Sequence, residues 1–499
     1  MNDQTSRPVD RPKARLPRGF LDSTGKVLTV HDRLISKLSE VYASYGFDRL
    51  TTPSVEFADA LGKFLPDQDR PHEGVFSFQD DDGQWLVLRY DLTAPLARYV
   101  AENFETLAFP YRRFQTGMVF RDEKPGPGRF REFVQFDADT VGTAAMAADA
   151  ELCMLVADSL EALGLARGDY IVKVNNRKVL NGMLDLIGVP EGSEGDATRL
   201  TVLRAMDKLD RLGIKGVGQL LGGGRKDESG DFTKGAGLPT KDIDRVLSFL
   251  HAEGDNRAAI CTSMMEKVKG SAIAEQGAAE LLEIDAVLTA AGFGLDRVRF
   301  DPAIIRGLGY YTGPVFEAEL NFDIKDDDGR TIRFGSVGGG GRYDNLVERF
   351  LGKKVPATGV SIGVSRLAAA LEMRGLLSAK TLAGPVVVLV LDRDQLARYQ
   401  AMVCELRSVG VRAELYLGQS GMRAQLKYAD KRAAPIVVIE GGDERAKGEV
   451  TLKDMALGAE LSGEIKSRAE WAKGAASQVS VKREDLARRV REILSSHRA

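Results

Sequence analysis

The sequence predicts a mixed α/β chain: an antiparallel sheet flanked by helices, a largely helical insertion, and a separate α/β unit towards the C-terminus. Three stretches predict it. Residues 111–142 read as strand, loop, strand. Aromatic and β-branched types fill 113–120, and Phe130, Phe133 and Phe136 alternate with polar partners. Two prolines and two glycines within 124–128 exclude regular structure between the strands. Residues 185–300 carry helical periodicity almost throughout. VVVLVL (386–391) and PIVVIE (435–440) are apolar runs without polar alternation until the end, the pattern of strands covered on both faces.

A length of 499 residues predicts two to four domains at about 150 residues each. Apolar content of 43% and charged content of 28% are those of a soluble globular chain with a sizeable core. The net charge of −3 gives no bulk basicity, so any nucleic-acid contact must come from local patches. Cys153, Cys261 and Cys404 are far apart and lack CxxC spacing, which predicts a reducing compartment and no zinc site. His31, His72, His251 and His497 are equally scattered, so neither a histidine metal cluster nor a catalytic triad is indicated. There is no run of about 18 apolar residues and no signal-peptide core, so no membrane contact and a cytoplasmic location are expected.

In chain order, the polar residues 1–15 predict a mobile tail. Val30, Leu34, Leu38, Val41 and Tyr42 recur at three and four, predicting a helix over 29–45 that Gly46 ends. FDRLTTPSVEF (47–57) reads as a strand interrupted by Pro53, which suits an edge. Residues 85–100 begin as a buried strand and become a helix, with Asp91 and Thr93 at the junction. There they either cap the helix or hold an ammonium group. The hairpin carries Arg121, Glu123, Arg129 and Arg131 at its mouth. Gln135, Asp137 and Asp139, spaced by two, share one strand face. Such a face either holds a phosphate and a small cation side by side or is an edge hairpin with solvated charge.

Leu152, Leu155, Val156 and Leu160 predict a helix over 145–163, and 172–184 read as strand then helix. Residues 185–295 are expected as a mostly helical insertion. Its glycine-rich break at 221–237 lacks the strand–loop–helix setting of a phosphate loop. Residues 299–320 return to β character, and 359–371 read as strand, turn and helix start. After a linker near 376–384, helices at 393–409 and 420–433 enclose a strand at 411–416, and 480–496 read as a closing helix.

The string FRDEKPGPGRFREFVQFDAD closely resembles the second signature motif of class II aminoacyl-tRNA synthetases, in the form found in the histidyl-tRNA synthetase family. The resemblance extends to LPRGFLD (16–22), LRYDLTAP, RGLGYYTG (306–313), GGGGRYDNLVERF (338–350) and GVSIGVSRLAAAL (359–371), the last similar to the third class II motif. LKYADK (426–431) and GGDERAKGEVTLKDM (441–455) resemble the family's anticodon-binding domain. Two departures stand out: Gly309 replaces the family's usual aspartate, and Ser365 stands where an acidic residue is common.

The resemblance implies a class II catalytic domain over 16–184 and 296–375. It also implies an anticodon-binding α/β domain over 385–465, followed by a helical extension over 466–499. It implies histidine–tRNA ligation with ATP and Mg²⁺, partners tRNA(His) and L-histidine, and a homodimer built on the first helix and the proline-bearing strand. Arg121 and Arg306 are the implied catalytic pair. Arg121, Glu123, Arg129, Phe133 and Arg366 are implied to bind ATP, with Glu123 near Mg²⁺ and no protein-only metal cluster. Asp91, Thr93, Gln135, Asp139, Arg306, Tyr310, Tyr311 and Tyr343 are implied to bind histidine. Lys427, Lys431, Arg432 and Lys453 either meet tRNA phosphates or are solvated. The Gly126-Pro127-Gly128 loop tip offers no polar side chain, which implies weak dependence on the extra 5′ guanosine of tRNA(His). Two rivals share the fold: the synthetase-like regulatory subunit of ATP phosphoribosyltransferase and a non-catalytic tRNA sensor. The first normally lacks the anticodon module and erodes the ATP-binding arginines.

Overall fold

A computed structural model of the chain describes residues 12–64, 74–125, 130–192, 195–226, 230–307, 310–325, 331–376, 384–455, 457 and 477–497. The expected tail therefore lies largely outside the described residues, as do the loop tip 126–128, Arg129 and Gly309. The chain divides into two compact units, Met1–Ser378 and Ala379–Ala499.

The first unit is built on an eight-stranded sheet. Its strands lie in the order Asp48–Arg49, Tyr111–Phe120, Glu132–Val141, Ala357–Gly363, Thr331–Arg342, Pro314–Lys325, Tyr170–Asn176 and Val298–Phe300. The two outermost pairings are parallel and the five between them antiparallel. The hairpin pairs Arg113 with Asp139, Gln115 with Asp137 and Gly117 with Gln135. Side chains alternate across a strand, so these polar residues share one face, while Phe114, Phe136 and Ala138 point to the other. On that other face lies the helix Gly25–Ser44, whose buried stripe of Val30, Leu34, Leu38 and Tyr42 follows helical spacing. Tyr42 meets Phe136 edge-on, with ring centroids 4.8 Å apart, and Phe114 at 6.0 Å. The sequence thus separates an apolar face that packs from a polar face that stays available for chemistry.

The proline-bearing segment 47–57 is not one strand. Asp48–Arg49 joins the large sheet and Val55–Phe57 joins a separate three-stranded sheet with Trp85–Leu88 and Ser77–Gln79. Pro53 sits at the break, where its missing N–H breaks no ladder. The glycine-rich stretch forms a small hairpin, Gly224–Lys226 with Phe232–Lys234.

The expected insertion 185–295 is not uniformly set apart. Helix Ala272–Ala290 packs on Arg177–Leu186 and Met146–Ala162 and belongs to the helices that cover the sheet. Two glycines permit the close crossing: a Cβ on Gly182 would lie 2.6 Å from that of Ala274, and one on Gly277 would lie 2.9 Å from that of Lys178.

The second unit carries a five-stranded sheet in the order Ala413–Leu415, Val386–Val388, Ile436–Ile439, Glu449–Asp454 and Gln478–Lys482. Helices Leu396–Ser408 and Leu486–Ser496 cover one face through Tyr399, Met402, Leu406, Leu486 and Val490. Met422–Lys431 covers the other through Ala429. The expectation of a helical extension over 466–499 is corrected here. Residues 466–476 lie outside the described residues; of the rest, QVSVK alternates with period two and pairs with Glu449–Asp454 as an edge strand, and a helix covers Leu486–Ser496. Among the described residues no helix is long and apolar enough to cross a membrane.

Candidate active site

The polar face of the hairpin continues across the sheet. Asp139 pairs with Gly359, Asp137 with Ser361 and Gln135 with Gly363, and Gly359 and Ser361 pair in turn with Gly341 and Gly339. The glycines are what keep this surface open. A Cβ on Gly359 would sit 1.9 Å from Asp139 Oδ1, and one on Gly339 would sit 3.1 Å from three atoms of the Arg306 side chain.

At one end lies a buried acidic pair. Arg113 is completely buried, with its Nη2 2.8 Å from Asp139 Oδ2, and the Tyr343 hydroxyl donates to Asp139 Oδ1. Tyr310 stands over Tyr343 at 5.5 Å and beside Tyr311 at 5.0 Å, so three rings wall this end. Burial pushes the Asp139 carboxyl up, opposed by Arg113 and by the Tyr343 hydroxyl. Asp137, equally buried, is pushed up to about 7, first by burial, with Arg113 opposing. Burial, with Asp139 next, holds the Tyr343 hydroxyl well above its ordinary value, so it stays a proton donor. Gln135 Oε1, Asp137 Oδ1 and Asp139 Oδ2 are buried acceptors that receive no aligned hydrogen bond from the chain. They suit a ligand rich in N–H donors.

Asp91 accepts from the backbone N–H groups of Thr93 and Ala94 at 3.1 and 2.9 Å, capping the helix Thr93–Glu102. The capping role open from sequence is present, and it fixes the carboxylate at the edge of the pocket. Gln135 donates to Ser361 Oγ at 2.7 Å.

Arg306 donates to Glu317 and Ser336. Burial alone would raise the Glu317 carboxyl, but Arg306 holds it below the usual range. Arg306 borders a cavity of about 670 Å³ lined also by Lys173, Asp207, Asp210, Arg211 and Glu317.

At the hairpin's mouth the Arg121 guanidinium lies between two rings, 4.4 Å from the Tyr90 centroid and 5.2 Å from that of Phe133. The Tyr90 hydroxyl donates to Glu123 at 3.1 Å. The opening segment braces this loop, since Arg131 N–H donates to the Gly19 carbonyl at 2.8 Å. Arg366 stands exposed on helix Val364–Met373 and donates to the Phe334 carbonyl. Among the described residues no group of three His, Cys, Asp or Glu side chains is placed to hold a metal ion.

A family model for histidyl-tRNA synthetase matches residues 27–367. The chain belongs to the histidyl-tRNA synthetase family. A second model, an anticodon-binding domain, matches residues 385–493, reaching into the strand and helix that close the second unit. The histidine–tRNA ligase of Brucella ovis is 58% identical over 490 residues, covering 98% of this chain and 97% of its own. That of Methylocella silvestris is 57% identical over 501 residues, covering 99% of each. The crystal structure of histidyl-tRNA synthetase from Nostoc sp. PCC 7120 superimposes with a TM-score of 0.68 at 27% identity, covering 97% of this chain and 100% of that one.

Within this histidyl-tRNA synthetase fold, several of the residues expected from sequence are brought together. Asp139, Tyr310, Tyr311 and Tyr343 are in mutual contact, with Gln135 on the same strand face. Arg121 and Phe133 meet at the mouth, and Tyr90 joins them to Glu123. Arg366 reaches a backbone carbonyl of the neighbouring strand. Sequence reasoning set Asp137 on the site face without a separate role, and gave none to Arg113, Glu317, Ser361 or Tyr90. Arg113 was within reach: the hairpin pairs are all centred on position 126, in the Pro-Gly loop, and that register sets an arginine directly opposite Asp139.

Proposed function

We propose that this chain is a histidine–tRNA ligase, activating L-histidine with ATP and passing it to the 3′-terminal adenosine of tRNA(His). The observation that carries the reading is the buried Asp139, paired with Arg113 and bonded to Tyr343, under three tyrosine rings. An ionised carboxylate there accepts the imidazole N–H and selects a tautomer. Asp91, Thr93 and Gln135 take the α-amino group. The histidine carboxylate then attacks the α-phosphate, giving histidyl-adenylate and pyrophosphate. Such a transfer needs positioning and charge neutralisation rather than an enzyme nucleophile. Arg121, steered by Tyr90 and Phe133, meets the α-phosphate. Arg306 neutralises charge at the carboxylate and phosphate, with Glu317 fixing its plane. Arg129 and Arg366 meet the distal phosphates, and Phe133 stacks on adenine. Mg²⁺ bound with ATP would neutralise phosphate charge, and Glu123, two residues from Arg121, offers a carboxylate to it.

The protein acts in the cytoplasm as a homodimer. Val55 and Phe57 are exposed and line an apolar groove with Leu86, Phe350 and Leu351, which suits burial against a second copy. The anticodon-domain match over 385–493 favours the ligase over the synthetase-like regulatory subunit. Histidine-dependent exchange of pyrophosphate into ATP is the deciding assay. Exchange with histidine and none with other amino acids is the expected result. No exchange by folded protein would leave a tRNA sensor or a regulatory subunit.

A further inference from the structure

We infer that Arg113 is a positioning residue of the histidine pocket, one side chain that ties the imidazole-reading end to the amino-reading end. This rests on the reading that Asp139 receives the imidazole. Arg113 has no exposed surface, and its strand position places it directly opposite Asp139 on the site face. One nitrogen, Nη2, serves both ends. It lies 2.8 Å from Asp139 Oδ2 and donates to the Leu92 carbonyl at 2.8 Å. Leu92 stands between Asp91 and Thr93, the pair assigned to the ammonium. The distance between the two reading ends is therefore set through a planar, rigid cation rather than through two loosely connected loops.

The same guanidinium decides the state of the acid. The groups facing Asp139 are Asp137 on its own strand, Asp91 before helix Thr93–Glu102, and the hydroxyls of Tyr310, Tyr311 and Tyr343. None of these is cationic; Arg89, a further buried cation, acts on Asp137. Without Arg113, burial and the neighbouring carboxylates favour a protonated Asp139. A protonated carboxyl donates as well as accepts and no longer selects the imidazole N–H. Arg113 thus has two separable tasks, charge and geometry. Lysine keeps the first but lacks the planar fork of the second.

The test compares Arg113→Met, Arg113→Lys, Asp139→Asn and the double variant Arg113→Met/Asp139→Asn by pyrophosphate exchange, each as a ratio to wild type. The ratio cancels the titration of histidine itself. Arg113→Met should raise the histidine KM about 10- to 100-fold near neutral pH while the ATP KM moves less than about 3-fold. Its deficit should shrink as pH rises, because the uncompensated acid ionises. Arg113→Lys should cost about 5- to 10-fold in histidine KM with no such pH dependence. In the Asp139→Asn background, Arg113→Met should add less than about 3-fold, because both changes remove one unit of function. Equal rises in both KM values without pH dependence, or a full additional penalty in the double variant, would overturn the inference. If Arg113→Met does not fold, Arg113→Lys decides it: an unchanged histidine KM, or an equal rise in both, refutes the positioning role. An unchanged histidine KM in Asp139→Asn instead refutes the assignment of the pocket, whatever Arg113 does.

Discussion

At the scale of the residue, the site depends on what is absent from the sheet as much as on what projects from it. Gly359 lies opposite Asp139, and a methyl group there would sit 1.9 Å from a carboxylate oxygen. That oxygen cannot swing away freely, because Tyr343 and Arg113 hold the group from two sides. Gly359→Ala should therefore displace Asp139 and raise the histidine KM by roughly 10-fold or more while leaving the ATP KM nearly unchanged, about 1.4 kcal/mol of lost discrimination. Initial-rate exchange with each substrate varied in turn checks it. Asp137 gives a pH prediction. Its folded value of about 7 lies above an ordinary value of 3.8. Between those values the folded chain holds a proton that the unfolded chain has lost, so this group's contribution to stability falls as pH rises and levels off above about pH 7. The upper bound is about 4 kcal/mol. Asp137→Asn removes the loss, so its melting temperature relative to wild type should climb from about pH 5 to about pH 7 and then stay level. A difference independent of pH would refute the assignment. The carboxylates and tyrosines of this site were legible because they sit in dense motifs. Glu317 and Ser361 were not, because only the sheet's register brings distant strands beside Arg306 and Gln135.

At the scale of the element, periodicity was informative wherever one side of a segment is buried. The helix over Gly25–Ser44 and the hairpin strands Tyr111–Phe120 and Glu132–Val141 follow directly from spacing. Periodicity could not assign Val55–Phe57 to a second sheet, since three residues carry no pattern and the choice of partner is tertiary. It also could not place Ala272–Ala290. Its buried residues Ala274, Gly277, Ala278, Leu281, Ile284 and Leu288 recur at three and four, which says that one face is covered but not by what. Its crossing with Arg177–Leu186 sets two effects against each other. Gly182→Ala improves helix propensity by about 1 kcal/mol. The added methyl meets the Ala274 Cβ at 2.6 Å and its backbone nitrogen at 3.1 Å, and overpacking of this kind costs about 1–3 kcal/mol. Backbone cannot yield as a flexible side chain does, so the clash should win. The variant should melt below wild type in a thermal unfolding series. A higher melting temperature would show that the two helices separate easily.

At the scale of the whole molecule, the two units have separate cores. The second closes its own five-stranded sheet between two helical layers, with Tyr399, Met402 and Leu406 on one side and Ala429 and Ile439 on the other. Every described residue assigned to histidine or ATP lies before Ser378, in the first unit. Removing the second unit therefore takes away no group proposed for the chemical step. What it removes is a surface carrying Lys427, Lys431 and Lys453, together with Arg432. Arg432 is the least available of the four, since Glu414 holds it in two contacts of 3.0 and 2.9 Å. Phosphate contacts of this kind carry a large share of nucleic-acid affinity and weaken as salt rises. A chain ending at residue 379 should thus form histidyl-adenylate at a measurable rate in the exchange assay. Its kcat/KM for charging tRNA(His) should fall by about 100-fold or more, roughly 2.7 kcal/mol. The intact chain should lose charging efficiency more steeply with added salt than the truncated one, because only the intact chain retains the second unit's phosphate contacts. A truncated chain that folds and charges tRNA normally would mean that the second unit contributes nothing to tRNA recognition.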